Sequence, residues 1–122
     1  MEITLTIDEK EVPFKSTGAA PLRYTAQFQR DLIKDIMKMG VTSVNFDEMT
    51  DVQAIEWMQE NIDFNMFFNV AWVYAKTANP NIPEPMAWLD SFGEFPILEV
   101  IEPLQELLVK TIGSKKNMNP PQ

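Results

Sequence analysis

The stretch from Asn65 to Phe92, NMFFNVAWVYAKTANPNIPEPMAWLDSF, decides the fold. Its first half is apolar on almost every side, and a helix without a polar stripe is normally buried at the centre of a protein. Lys76 and Pro80 suit the end of this helix, because a late cation is favourable there and proline cannot continue it. The prolines that follow make a stiff connector, and Pro85 suits the first turn of a second helix. The stretch therefore predicts a buried central helix, a rigid corner and a short aromatic helix.

The flanking patterns predict further elements on both sides. Residues 2–15 alternate between apolar and polar side chains around an acidic turn, which is typical of a β-hairpin. Apolar residues at spacings of three and four predict helices before and after the central stretch. The predicted helices cover about residues 22–39, 51–60, 63–78, 85–91 and 96–112, and residues 113–122 are predicted to be a flexible tail.

The helix over residues 51–60 has two recognisable features. Thr50 has the form of a capping box at its start, together with a glutamine three residues later. Its apolar residues Val52, Ile55 and Met58 are predicted to face the core, and Trp57 is a further candidate for burial. Asp63 is a good N-cap for the central helix, so whether residues 51–78 form one helix or two stays open.

Together these elements predict an α+β fold, a mostly α-helical single domain over residues 1–112 with an N-terminal β-hairpin. A chain of 122 residues is long enough for one hydrophobic core. The first residues lack the pattern of a signal peptide, and no stretch approaches about 18 unbroken apolar residues. We therefore expect a soluble cytoplasmic protein that has no membrane partner.

The composition argues against catalysis. The sequence contains no cysteine and no histidine, and so it lacks a thiol nucleophile and the commonest general base and metal ligand. None of the familiar catalytic or phosphate-binding motifs is present. Asp90 and Glu94 come nearest to a catalytic carboxylate pair, but such a pair arises by chance in an acidic chain. We expect a protein that is not an enzyme and that uses no cofactor and no metal.

The net charge of −8 is unevenly distributed. Residues 1–40 carry six acidic and six basic side chains, whereas residues 41–109 carry twelve acidic side chains and only one basic one, Lys76. A surface this acidic repels phosphate groups, so we expect no nucleic-acid partner.

Four basic residues form one stripe of the first predicted helix: Arg23, Arg30, Lys34 and Lys38. Asp31 and Asp35 are candidate ion-pair partners within the same helix, which would leave the stripe simply solvated. The alternative is that the stripe binds the acidic part of a neighbouring copy, which would give a head-to-tail ring or spiral.

Soft and aromatic side chains are frequent, with eight Met, eight Phe and three Trp. Most such residues fill the core of a domain, but Met suits adaptable surfaces and Trp is enriched at interface hot spots. Aromatic residues near element ends or turns are better candidates for a partly exposed patch than Trp72, which lies inside the central helix. These candidates for protein interaction are Trp57, Trp88, Phe92 and Phe95.

Four phrases of the sequence carry a family resemblance: FKSTGAAPLRY, NVAWVYAKTA, IPEPMAWLDSF and EFPILEV. With these phrases the chain resembles the small tail assembly chaperones of long-tailed phages and prophages of Gram-positive bacteria. The resemblance covers most of the chain, from about Val12 to Ile112, and is weakest between Gly40 and Asn61. The phrases are not a chemical motif and carry no mechanism of their own.

The resemblance implies an assembly factor of the host cytoplasm. Members of this family coat the long tape-measure protein, keep it soluble and bring subunits of the major tail-tube protein to it, and they are absent from the mature virion. They often also form a longer product by ribosomal frameshifting near the end of the short reading frame. The adjacent codons of Lys115 and Lys116 are a candidate place for this event, and an ordinary disordered tail is equally compatible with these residues.

Two other classes of function stay open. A permanent structural component of a virion would be found in purified particles. An acidic inhibitor that mimics nucleic acid would need a regular row of exposed carboxylates and would lose its target at moderate salt. The sequence shows no such regular row.

Overall fold

The computed structural model describes residues 1–39, 48–61 and 63–113. Over these residues, an antiparallel pair of strands is followed by six helices. The elements are β1 (Glu2–Ile7), β2 (Lys10–Lys15), α1 (Ala20–Phe28), α2 (Leu32–Met39), α3 (Asp51–Asn61), α4 (Phe64–Ala78), α5 (Pro85–Asp90) and α6 (Ile97–Ile112). This architecture confirms the predicted α+β fold, mostly helical with an N-terminal hairpin.

A tight turn of two residues joins β1 to β2. Asp8 and Glu9 both have positive φ, 51° and 62°, which matches the type I′ turn whose twist suits a hairpin. Pro13 lies opposite Thr4 in the ladder. At this position the backbone N–H of a strand residue would point away from β1, so proline removes no bond between the two strands.

One face of the hairpin packs on the helices. Ile7, Val12 and Phe14 are buried on this face, whereas Ile3 and Leu5 on β1 are only half-buried. β2 packs closely on α4, and β1 lies beside α6. Because the hairpin gains its apolar contacts from the helices, it does not have to be stable alone.

The buried centre of the protein is α4, as the sequence predicts. Eight of its side chains are buried: Met66, Phe67, Val70, Ala71, Trp72, Val73, Tyr74 and Ala75. Asp63 lies outside both α3 and α4 and accepts a hydrogen bond from the backbone N–H of Met66 at 3.3 Å. Residues 51–78 therefore form two helices, and Asp63 is the N-cap of the second.

The proline-rich corner after α4 is tied back to that helix by two side chains. The Nζ atom of Lys76 donates hydrogen bonds to the carbonyl oxygens of Pro80 and Ile82, both at 2.8 Å. The indole N–H of Trp72 donates to the carbonyl of Pro83, also at 2.8 Å. These bonds satisfy backbone acceptors of the connector and fix the direction in which α5 begins.

The single helix predicted over residues 22–39 is wrong. Gln29 adopts the left-handed conformation, with φ 56°, and separates α1 from α2. The side chain of Asp31 then accepts a hydrogen bond from the backbone N–H of Lys34 at 3.0 Å, which caps the start of α2. The apolar spacing continues across this break because both helices bury residues in the same core, so the periodicity gave no sign of it.

The last helix, α6, continues through Pro103 and buries five apolar side chains against the core. The hydroxyl of Tyr74 donates to the carbonyl of Leu107 at 3.3 Å, and burial raises the pKa of this tyrosine to about 12. Within the described ranges, no helix is long and apolar enough to cross a membrane. Residues 40–47 and the predicted tail beyond Gly113 lie outside the described residues.

Candidate protein-interaction surface

Two of the four aromatic residues predicted for a partly exposed patch are buried, which corrects the prediction. Trp88 is 4% exposed, the same as Trp72, and Phe92 is 9% exposed. The rings of Trp88, Phe92 and Phe95 form a cluster with centroids 5.2 to 5.6 Å apart. The turn after α5 folds these rings over one another, and so nearness to an element end did not mean exposure.

The hairpin turn holds this aromatic cluster in place. A carboxylate oxygen of Asp8 accepts a hydrogen bond from the backbone N–H of Gly93 at 2.7 Å. The Nζ atom of Lys10 donates to the carbonyl of Ser91 at 2.6 Å and lies 5.2 Å from the centre of the Phe92 ring. These contacts join residues more than eighty positions apart and close the turn after α5. Phe92 is consequently not accessible to a partner.

The other two predicted aromatic residues are partly accessible. Phe95 is half-buried and its ring also contacts that of Phe68, with centroids 5.7 Å apart. Trp57 is half-buried on α3. Of the four predicted residues, Trp57 is the one that lies outside the cluster described above and belongs to a different surface.

The predicted basic stripe is broken up: Arg23 lies on α1, Lys34 and Lys38 lie on α2, and Arg30 lies in the connection between the two helices. Arg30 binds Asp35 through two hydrogen bonds, from Nε at 2.8 Å and from Nη2 at 2.9 Å. The hydroxyl of Tyr24 donates to the same carboxylate at 2.9 Å. Arg30 therefore stabilises the junction of α1 and α2. Its exposed neighbours in the stripe are Arg23, Lys34 and Lys38.

This network shifts two ionisation equilibria. The hydrogen bond from Arg30 lowers the pKa of the Asp35 carboxyl below its ordinary value, against the opposing effect of burial. Burial, and next the hydrogen bond to Asp35, raise the pKa of Tyr24. At neutral pH the carboxylate is thus ionised and the phenol is neutral, which is the state that the observed bonds require.

The most exposed apolar pair on α3 is Val52 and Ile55. The prediction that they face the core is wrong, since they are 64% and 45% exposed. The side chain of Met58, the third residue of that prediction, lies outside the described part of the chain. Ala54 and Trp57 turn toward the core instead, which rotates Val52 and Ile55 outward. The weak amphipathic pattern of α3 explains the error, because apolar residues are spread around the helix rather than collected in one stripe.

A shallow groove lies next to this pair. It has a volume of about 380 Å³ and is lined by Met49, Gln53, Glu56, Trp57 and Glu60. Glu56 and Glu60 follow Val52 at spacings of four, so they run along α3 between the exposed apolar pair and the indole of Trp57. We call Val52, Ile55 and the residues of this groove the α3 surface.

Other large apolar side chains are exposed on separate elements. Leu22 on α1, Met37 on α2, Met86 on α5 and Leu98 on α6 are each at least 46% exposed. Single exposed residues of this kind are common on protein surfaces. The α3 surface differs from them because it combines two such residues with an aromatic ring and carboxylates.

The remaining sequence predictions lie elsewhere. Lys115 and Lys116 fall outside the described residues. Asp90 and Glu94 are exposed, and no group of three or more acidic side chains among the described residues is arranged to hold a metal ion.

Comparisons with known proteins give no match: no protein-family model fits the sequence, and neither the curated proteins nor the solved structures contain a similar one.

Proposed function

We propose that this protein is a tail assembly chaperone that binds a tape-measure protein and brings tail-tube subunits to it. The structural observation that supports the proposal is the α3 surface, an exposed apolar pair beside a groove that is both aromatic and acidic. The resemblance of the sequence to such chaperones supplies the class of partner. The α3 surface supplies a place where a long helical partner would bind.

The apolar part of this surface suits an amphipathic helix. Val52 and Ile55 are three residues apart and project from the same side of α3. Covering them removes apolar area from water, at about 25 cal/mol per Å². Helical partners dock with apolar anchors at spacings of three and four, so a tape-measure helix would lay its own apolar stripe along this pair.

The charges of the surface narrow the choice of partner. Glu56 and Glu60 border the groove, and all the described acidic residues between positions 48 and 109 are exposed. Such a field attracts cationic partners over long range and repels anionic ones. The partner helix would therefore carry Lys or Arg beside its apolar stripe.

The decisive experiment is co-expression with the tape-measure protein of the same phage or prophage. The wild-type chain should retain the tape-measure protein on an affinity column and increase its soluble fraction. The double substitution Val52→Ser and Ile55→Ser should weaken retention roughly tenfold, as expected for the loss of apolar anchors at an interface centre.

A matched control removes apolar surface of similar size elsewhere. Leu22 and Met86 are each 74% exposed, on α1 and α5, and the double substitution Leu22→Ser and Met86→Ser should leave retention unchanged. Retention that both variants reduce equally would mean that the α3 surface is not the binding site. A wild-type chain that does not retain the tape-measure protein would refute the proposed function itself.

The chaperone would act in the host cytoplasm and leave before the particle is complete. Mass spectrometry should therefore detect the chain in lysates of producing cells and not in purified virions. Stoichiometric amounts in the virion would favour the alternative of a permanent structural component.

A further inference from the structure

The outer edge of β1 is an open strand edge. In an antiparallel ladder, every second residue of a strand exchanges backbone hydrogen bonds with the partner strand. The N–H of Ser16 donates to the carbonyl of Met1, so in β1 these residues are Ile3, Leu5 and Ile7. The backbone groups of Glu2, Thr4 and Thr6 consequently point away from β2. Over the ranges that the structure describes, no strand or backbone group pairs with this edge.

The two edges of the hairpin differ in how they are protected. The outward positions of β2 are Glu11, Pro13 and Lys15, so that edge lacks one N–H and carries two charges, which are features that discourage pairing. The middle of the β1 edge carries only Thr4 and Thr6, which favour strands. The edge of β1 is therefore the one that can accept another strand.

We propose that two copies of this chain pair through their β1 edges, antiparallel and centred on Thr4, to form a four-stranded sheet. Thr4 then lies opposite Thr4 of the second copy, and Glu2 lies opposite Thr6 on both sides of the two-fold axis. The backbone groups of these positions exchange about six hydrogen bonds. Ile3 of each copy lies opposite Leu5 of the other, which covers the two half-buried apolar residues of β1.

The charges select this register. In it, Glu2 lies between Lys15 of its own hairpin and a neutral threonine of the other, so no like charges are opposed. A shift of two residues in one direction places Glu2 opposite Asp8, which is unfavourable. A shift in the other direction leaves Thr6 without a partner. The pair of threonines at the centre is itself a favourable cross-strand pair.

This contact goes beyond the proposed function and does not depend on it. It is isologous and closes after two copies, and it uses neither the α3 surface nor the predicted basic stripe. Its failure would leave binding to the tape-measure protein untouched.

A cysteine cross-link tests the register directly, because the natural sequence has no cysteine. With Thr4→Cys, the two Cα atoms across the axis are about 5.5 Å apart, which a disulfide can span. Mild oxidation should then give a covalent dimer on a non-reducing gel. The control is Thr6→Cys, whose Cα atoms are separated by roughly 13 Å along the strands and should stay unlinked. Equal cross-linking of both variants, or of neither, would overturn the proposal.

Light scattering supplies a second test without oxidation. At about 0.5 M salt, which screens head-to-tail contacts between copies, the wild-type chain should have about twice the monomer mass of 14.0 kDa. Thr4→Lys should halve it, since two ammonium groups then face each other across the axis. Thr4→Glu should do the same, and an equimolar mixture of the two variants should recover the dimer. Glu11→Lys on β2 is the control that should remain dimeric. A monomeric wild type, or a mixture that stays monomeric, contradicts the proposed pairing.

Discussion

At the scale of single residues, Asp35 is the most consequential polar side chain. It is 9% exposed and accepts hydrogen bonds from Arg30 and from Tyr24. Asp35→Asn keeps the shape and removes the charge, so we expect it to lower the free energy of unfolding by about 2 kcal/mol. Urea unfolding measures this loss. Asp31→Asn is the matched control, since asparagine caps α2 as well as aspartate does, and its effect should stay within about 0.5 kcal/mol.

The same carboxylate gives a prediction for pH. Its pKa in the folded protein lies below the ordinary value of 3.8, so the ionised form favours the folded state. This stabilisation is complete above the unfolded pKa and disappears as pH falls through the folded pKa. The difference in unfolding free energy between wild type and Asp35→Asn should therefore be constant near neutral pH and shrink in acid. A difference that does not change with pH would show that the charge of Asp35 is not its cause.

At the scale of secondary-structure elements, the break at Gln29 predicts that glycine has opposite effects on stability at Gln29 and at Ala26. Gln29 holds a left-handed conformation that glycine adopts without strain. Gln29→Gly should therefore raise the free energy of unfolding by about 0.5 kcal/mol. Ala26→Gly, three residues earlier within α1, should lower it by about 1 kcal/mol. If both substitutions destabilise the protein equally in urea, the break between α1 and α2 does not lie at Gln29.

The elements that could be predicted are those whose signals are local. The hairpin depends on alternating apolar and polar residues, and the buried α4 depends on an apolar run. The start of α4 depends on the single side chain of Asp63. The sequence displays all three signals. The break at Gln29 is held by a network in which Arg30 binds Asp35. The sequence pattern places both residues in one helix and offers Asp35 only as a partner for the basic stripe of that helix. The capping role of Asp31 was a signal that could have located the break.

At the scale of the whole molecule, the interaction residues were harder to predict because exposure is a tertiary property. Trp88 and Phe92 are covered by a hairpin turn more than eighty residues away, a contact that no local pattern contains. Val52 and Ile55 are exposed because α3 packs only lightly on the other described elements. The predicted acidic surface needed no such information, since charged side chains remain in water on almost any fold.

The charge distribution of the whole chain gives the last prediction. The basic residues Arg23 and Lys34 are exposed, and so are the described acidic residues between positions 48 and 109. Head-to-tail contacts between copies would therefore add to the symmetric β1 contact. Such contacts are screened by salt, whereas backbone hydrogen bonds in a sheet are not. Sedimentation should therefore show assemblies larger than two copies at low ionic strength and two copies at about 0.5 M salt.

Charge reversal separates the two contacts. Arg23→Glu with Lys34→Glu should abolish the larger assemblies at low salt and leave the pair of copies intact, while Arg30 is kept because it binds Asp35. Thr4→Lys should have the opposite effect, since it breaks the symmetric contact and leaves a weak, salt-sensitive chain of copies. If charge reversal leaves the mass of the assemblies at low salt unchanged, the basic stripe is simply solvated. The uneven charge of the chain would then act only in attracting cationic partners to its acidic part.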